Sequence, residues 1–137
     1  MIAHQATSVA IGGRAVMIEG APGTGKSSLA LALIDRGAVL IGDDAVMLEA
    51  IGETLLASPH PRVTGLIEVR NVGLMSLPMT SAVPVALVLI LDPAAPRHIE
   101  AADSVERGGV SVRAIRLYPD SPVLALRAEM ALARYGL

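Results

Sequence analysis

The chain has 137 residues, 53% of them hydrophobic, carries a formal net charge of −2 and contains no Cys. This composition suits a single domain over 1–137 with an aliphatic core, and it excludes a disordered chain, disulfides and thiolate metal sites. With no basic block, no Phe and no Trp, it also excludes an electrostatic or base-stacking nucleic-acid binder.

The first residues lack a basic stretch followed by an apolar one, so no signal peptide is expected and the cytoplasm is the expected location. Thr7, Val9 and Ile11 alternate, and Gly12-Gly13 permits a tight turn into a strand over 14–18, which together predict a β-hairpin. Ser28 to Asp35, rich in Leu and Ala, predicts a helix ended by Arg36-Gly37. Val39-Leu40-Ile41 reads as a second buried strand, ending at Gly42-Asp43-Asp44. Val46-Met47-Leu48 continues extended, and Gly52 separates it from Leu55-Leu56. The two prolines of Pro59-His60-Pro61-Arg62 predict loop. Leu66 to Val72 predicts a strand with Glu68 and Arg70 on one face.

Val85 to Leu91 is the strongest strand, closed by Asp92-Pro93, and falls far short of the roughly 20 apolar residues of a membrane-spanning helix. Residues 94–109, polar and Ala-rich with Pro96 and Gly108-Gly109, read as a short helix or a mobile loop. Val110 to Leu117 predicts a strand. Ser121-Pro122 predicts a helix start and Gly136 its end. Met17, Met47, Met75 and Met79 are expected to fill the core, and Arg127 and Arg134 to lie on the solvated face of the last helix. His60 and His98 have no partner at a metal-binding spacing.

The stretch Gly20-Ala21-Pro22-Gly23-Thr24-Gly25-Lys26-Ser27 matches G-x-x-x-x-G-K-[ST] between a predicted strand and a predicted helix. Glycines let backbone N–H groups converge on phosphate oxygens, and the helix N-terminus adds partial positive charge. Residues 20–27 with Ser28 are therefore the candidate nucleotide cradle. Lys26 reaches the β- and γ-phosphates, and Ser27 is a candidate Mg²⁺ ligand. A phosphate loop also needs a carboxylate for its metal. Asp43-Asp44 follow one buried strand, and Asp92 ends another, as the metal aspartate of common P-loop NTPases does. Neighbouring acids in a turn can converge, one holding the metal while the other accepts a hydroxyl proton. The plain alternatives are a solvated turn for the pair and an Asp-Pro turn for Asp92.

The P-loop, the segment from Leu29 to Gly37 and Leu40-Ile41-Gly42-Asp43-Asp44 together resemble HPr kinase/phosphorylase. Ile67-Glu68-Val69-Arg70-Asn71-Val72-Gly73-Leu74 is similar to a further segment of that family, with Asn71 where the family usually has Gly. His4 lies upstream much as a family histidine does, and Arg107-Gly108 resembles a later family Arg. The resemblance implies an α/β P-loop domain of the HPr kinase / PEP-carboxykinase-like type, with a mixed central sheet and flanking helices, in a short form limited to the catalytic domain. It implies an ATP- and Mg²⁺-dependent serine kinase whose partner is the phosphocarrier protein HPr, regulating phosphotransferase-system metabolism, with a phosphorylase reverse reaction. Lys26 would bind phosphate and Ser27 Mg²⁺, and Asp43 would be the better base with Asp44 beside it. Asp44 and Glu68 would be further metal ligands; Arg70, Arg107 and His4 complete the catalytic candidates. Two rivals remain open: another P-loop NTPase or small-molecule kinase using Asp92, and a non-catalytic nucleotide sensor working through a partner such as a histidine kinase. A homo-oligomer is a further expectation.

Overall fold

The computed structural model describes all residues, 1–137. Eleven strands and two helices follow one another as β1 (Ile2–His4), β2 (Thr7–Ile11), β3 (Arg14–Gly20), α1 (Lys26–Asp35), β4 (Val39–Gly42), β5 (Val46–Ile51), β6 (Thr54–Pro59), β7 (Leu66–Val69), β8 (Gly73–Ser76), β9 (Val83–Leu91), β10 (Asp103–Arg107), β11 (Val110–Leu117) and α2 (Leu124–Tyr135). The mixed central sheet runs β1-β5-β6-β9-β3-β2-β4, with β11 also on β9 and β10 on β11; β7 and β8 form a separate ribbon. β9 is the hub, parallel to both β3 and β11 and antiparallel to β6.

Alternation along β3 assigns its two faces. Val16 and Ile18 point to a core shared with Leu29 and Leu33 of α1 and Leu132 of α2, while Ala15 and Met17 point to a second core with Leu48, Leu55 and Val112. The continuous apolar run of β9 follows from this, since both of its faces are covered. The strand does not keep a strict period of two. Ala15 pairs with Val85 but Val16 pairs with Leu87, so Ala86 is one extra residue, a β-bulge. Before it, Val83 and Val85 face the second core; after it, Leu87, Leu89 and Leu91 face the helices. Partners change at the same place: β6 pairs with Val83 and Pro84, β11 with Val88 to Leu91. Leu137 N–H donates to the Ala86 carbonyl at 3.1 Å.

The hairpin at Gly12-Gly13, the helix ending at Arg36-Gly37 and the strands at 39–41, 85–91 and 110–117 stand as the sequence predicts. At the end of α1, Ala38 N–H reaches the Leu33 carbonyl and Gly37 N–H that of Ile34, both at 3.0 Å, a Schellman closure. The strand expected over 66–72 stops at Val69, where residues 70–72 turn into β8. Segment 94–109 is corrected most: its second half is strand β10, hairpinned to β11 through Gly108-Gly109, and holds no helix. α2 begins at Leu124 rather than at Pro122, because Ser121 closes a turn first, its Oγ accepting Val123 N–H at 3.2 Å. Met17 is buried as expected, but Met75 and Met79 are exposed on the β7–β8 side. Arg127 and Arg134 lie on the exposed face of α2. No helix is long and apolar enough to cross a membrane.

Candidate active site

The phosphate loop leaves the sheet at Gly20, the end of β3. A Cβ there would stand 2.8 Å from Thr24 Oγ1 and 2.9 Å from the Leu91 carbonyl oxygen, so the loop and β9 close on this point only around glycine. Thr24 Oγ1 donates to the Ala21 carbonyl at 2.8 Å and ties the loop together. Lys26 opens α1, and its Nζ donates to the Gly20 and Ala21 carbonyls at 2.9 and 3.2 Å, so the ammonium lies across the loop.

Below the loop, β4 delivers Asp43, which is buried. Its Oδ1 accepts the hydroxyl of Ser27 at 2.6 Å and that of Thr7 at 3.1 Å; its Oδ2 accepts Glu68 N–H at 2.9 Å. Thr7 Oγ1 in turn accepts Asp44 N–H at 3.1 Å, holding the two aspartates in one turn. Asp44 is exposed and takes φ 67°, a left-handed conformation that Asp tolerates better than most residues. Glu68 is brought beside Asp43 through its backbone, with an exposed side chain; Arg70, just past β7, is also exposed. Asn71 has φ 70°, a conformation readily taken by Gly and tolerated by Asn.

Asp92 stands apart from this network. Its Oδ1 accepts Ala94 N–H at 2.8 Å, and its Oδ2 lies 3.6 Å from Arg116. It closes the turn after β9, while the partner of the P-loop serine is Asp43.

A second cluster lies where β3 meets the loop. Glu19 receives Arg107 Nε at 3.0 Å on Oε2 and Nη2 at 2.7 Å on Oε1, and His4 Nε2 at 2.8 Å on Oε2. Burial pushes the Glu19 carboxyl up, but hydrogen bonds from Arg107 and then His4, with their charges, outweigh it and hold the carboxyl below the usual glutamate range. The bond to Glu19 raises the Arg107 guanidinium, against a smaller opposing effect of burial. His4 and Arg107, singled out separately in the sequence, thus meet on a residue that was not. Thr7 was likewise read only as a strand position. The available signal was a single acid at the mouth of a phosphate loop and a hydroxyl in a buried strand. Neither points to partners so distant in the chain.

The donors suit a magnesium nucleotide. Mg²⁺ prefers one or two protein oxygens together with phosphates and water, and Ser27 with Asp43 offers a hydroxyl and a carboxylate at the start of a helix. No group of three or more His, Cys, Asp or Glu forms a self-sufficient metal cage.

Known proteins resemble this chain in sequence and in fold. Residues 2–81 match the family model of the HPr serine kinase C-terminal domain. HPr kinase/phosphorylase of Nitrosomonas europaea is 47% identical over 66 residues, covering 47% of this chain and 20% of that protein. The Clostridium acetobutylicum protein of the same name is 44% identical over 71 residues, covering 51% of this chain and 23% of its own. The chain therefore spans about a fifth of the length of the curated relatives it matches. A solved structure, the Hpr(Ser) kinase/phosphatase from Coxiella burnetii, superposes with a TM-score of 0.82 over 97% of this chain and 95% of that one, at 24% identity, and has the same fold. By the match over 2–81, the chain belongs to the HPr serine kinase C-terminal domain family.

Proposed function

We propose that this chain is an ATP-dependent serine kinase whose acceptor is the phosphocarrier protein HPr, acting in the cytoplasm. The observation that carries this reading is the junction of Lys26, Ser27 and Asp43: a phosphate loop whose serine is hydrogen-bonded to a buried carboxylate at 2.6 Å. Residues 20–28 would cradle the nucleotide, with Lys26 Nζ turning from its carbonyl partners to the β- and γ-phosphates. Ser27 would hold Mg²⁺, which when bound neutralises charge on the transferring phosphoryl group. Asp44, next in the chain to Asp43, and Glu68, whose backbone N–H meets Asp43, would be further oxygen ligands.

In the transfer, the acceptor serine oxygen bonds to the γ-phosphorus, the bond from phosphorus to the ADP oxygen breaks, and the serine proton passes to a base. Asp43 suits that task. Its Oδ1 already accepts two hydroxyls, but Oδ2 accepts only one backbone N–H and keeps a lone pair for a proton. Arg107 and His4 would flank the developing charge, and Arg70 would steady it from the β7 side. The reverse, phosphorylase direction would use the same proton in the opposite sense. The test is the purified chain with labelled ATP and purified HPr, read for phosphoserine. Transfer to one serine supports the reading. Intact nucleotide binding without transfer to HPr would sink it and favour a nucleotide sensor working through another partner.

A further inference from the structure

We propose that Glu19 is a positioning residue that fixes Arg107 and His4 at the mouth of the phosphate loop, each with its free donor or acceptor sites turned away from the carboxylate. The inference rests on the kinase reading for its kinetic part and on geometry alone for the rest.

Three elements meet at this one side chain: β1 through His4, β3 through Glu19 itself, and β10 through Arg107. Glu19 immediately precedes Gly20, the first residue of the phosphate loop. The side chains are held well out of water, at 15% exposure for Glu19, 24% for His4 and 23% for Arg107, so the pairing is far less screened than one on an open surface.

The hydrogen-bond inventory shows what the arrangement leaves available. A guanidinium has five N–H donors in a rigid plane. In Arg107, Nε–H and one Nη2–H go to Glu19, and one Nη1–H goes to the Glu106 carbonyl at 2.9 Å. Two N–H groups are left, one on each terminal nitrogen, in a plane the carboxylate has already fixed. In His4, Nε2 is committed to Glu19, which leaves Nδ1 as the free ring nitrogen. An unrestrained Arg at a hairpin tip would have to lose its rotamer freedom on meeting a phosphate; here that ordering is in place beforehand.

The hairpin that carries Arg107 is itself seated. A Cβ on Gly108 would stand 2.8 Å from Leu55 Cδ1, so the backbone of the β10–β11 turn lies directly against the second core. The backbone anchor fixes where Arg107 starts, and Glu19 fixes where its head ends.

The experiment compares wild type, Glu19→Gln, Arg107→Ala and the double variant. By NMR, the Arg107 Nε–H should exchange slowly with water in the wild type and at least about tenfold faster in Glu19→Gln, as expected when a charge-assisted bond is weakened. In HPr phosphorylation, Glu19→Gln should lower kcat by about 10–100-fold, the scale of a lost supporting contact, with nucleotide affinity unchanged. In the Arg107→Ala background most of that loss should vanish, because residues acting as a unit are not additive. Unchanged Nε–H exchange in Glu19→Gln, a wild-type kcat, or an undiminished loss in the Arg107→Ala background would each overturn the proposal. If the wild-type chain transfers nothing to HPr, the kinase reading fails separately, and the exchange measurement still decides whether Glu19 holds Arg107.

Discussion

Lys26 is the chain's single lysine, and its ammonium already spans two carbonyls of the loop it serves. A point charge there has no neutral substitute, so Lys26→Ala should cut ATP affinity sharply while leaving the thermal melt near wild type. Calorimetry with ATP checks this; unchanged binding would show that residues 20–27 are not the site. Asp43 carries a different burden. Asp43→Asn keeps a side-chain oxygen near Ser27 but loses the proton acceptor, so transfer should slow by roughly 10²–10⁴-fold with Mg·ATP binding retained. Should binding collapse instead, Asp43 serves the metal, and Asp44 becomes the residue to test as base. At this scale the sequence was informative about types and poor about partners. Ser27 and Asp43 were legible because the loop pattern and the acidic strand end each have a known chemical need. Glu19 was not, because its partners lie 15 and 88 residues away and only the folded sheet brings them together.

Elements with a strong apolar period were legible; those without one were not. β9 and β11 declare themselves by their runs of Val, Leu and Ile, whereas β10 has Val105 as its only apolar residue and is a strand because β11 offers it a ladder of five residue pairs. β1, three residues long and largely exposed, is likewise defined by pairing with β5. The ion pair at Glu19 therefore matters to the elements as well as to the site, since it ties both of these weakly specified strands to β3. Its pH dependence has a definite sign. The folded carboxyl titrates below the ordinary glutamate range, so its stabilisation is fully present above a pH of about 4.3 and is lost as the pH falls through the lower folded value. Melting temperatures should thus drop more steeply on acidification for wild type than for Glu19→Gln. The gap, about 1–2 kcal/mol at neutral pH, should close as Glu19 protonates. Parallel curves across that window would mean that the pair contributes no stability.

For the molecule as a whole, one strand joins two packed cores, and a single surplus residue interrupts its alternation between them. Ala86 acts as a phase shifter. In the bulge Ala86 and Leu87 face the helices together, so Val83 and Val85 lie on one side and Leu87, Leu89 and Leu91 on the other, and one more residue beyond it would reverse the faces of all that follow. Register beyond the bulge, rather than the identity of Ala86, is then the property that matters. Ala86→Ser should be a mild lesion of about 1–2 kcal/mol, a small hydroxyl placed in a buried spot. Inserting one Ala between Val88 and Leu89 would turn Leu89 and Leu91 to the opposite face and should prevent cooperative folding altogether, readable as loss of a sharp thermal transition and of native amide dispersion by NMR. An insertion variant that melts like the wild type would show that the two cores tolerate the exchange of faces. By the same logic, chain-length changes are best tolerated in the exposed turns at Gly12-Gly13 and Gly52, and least in the middle of β9, where one added residue changes the meter of everything beyond it.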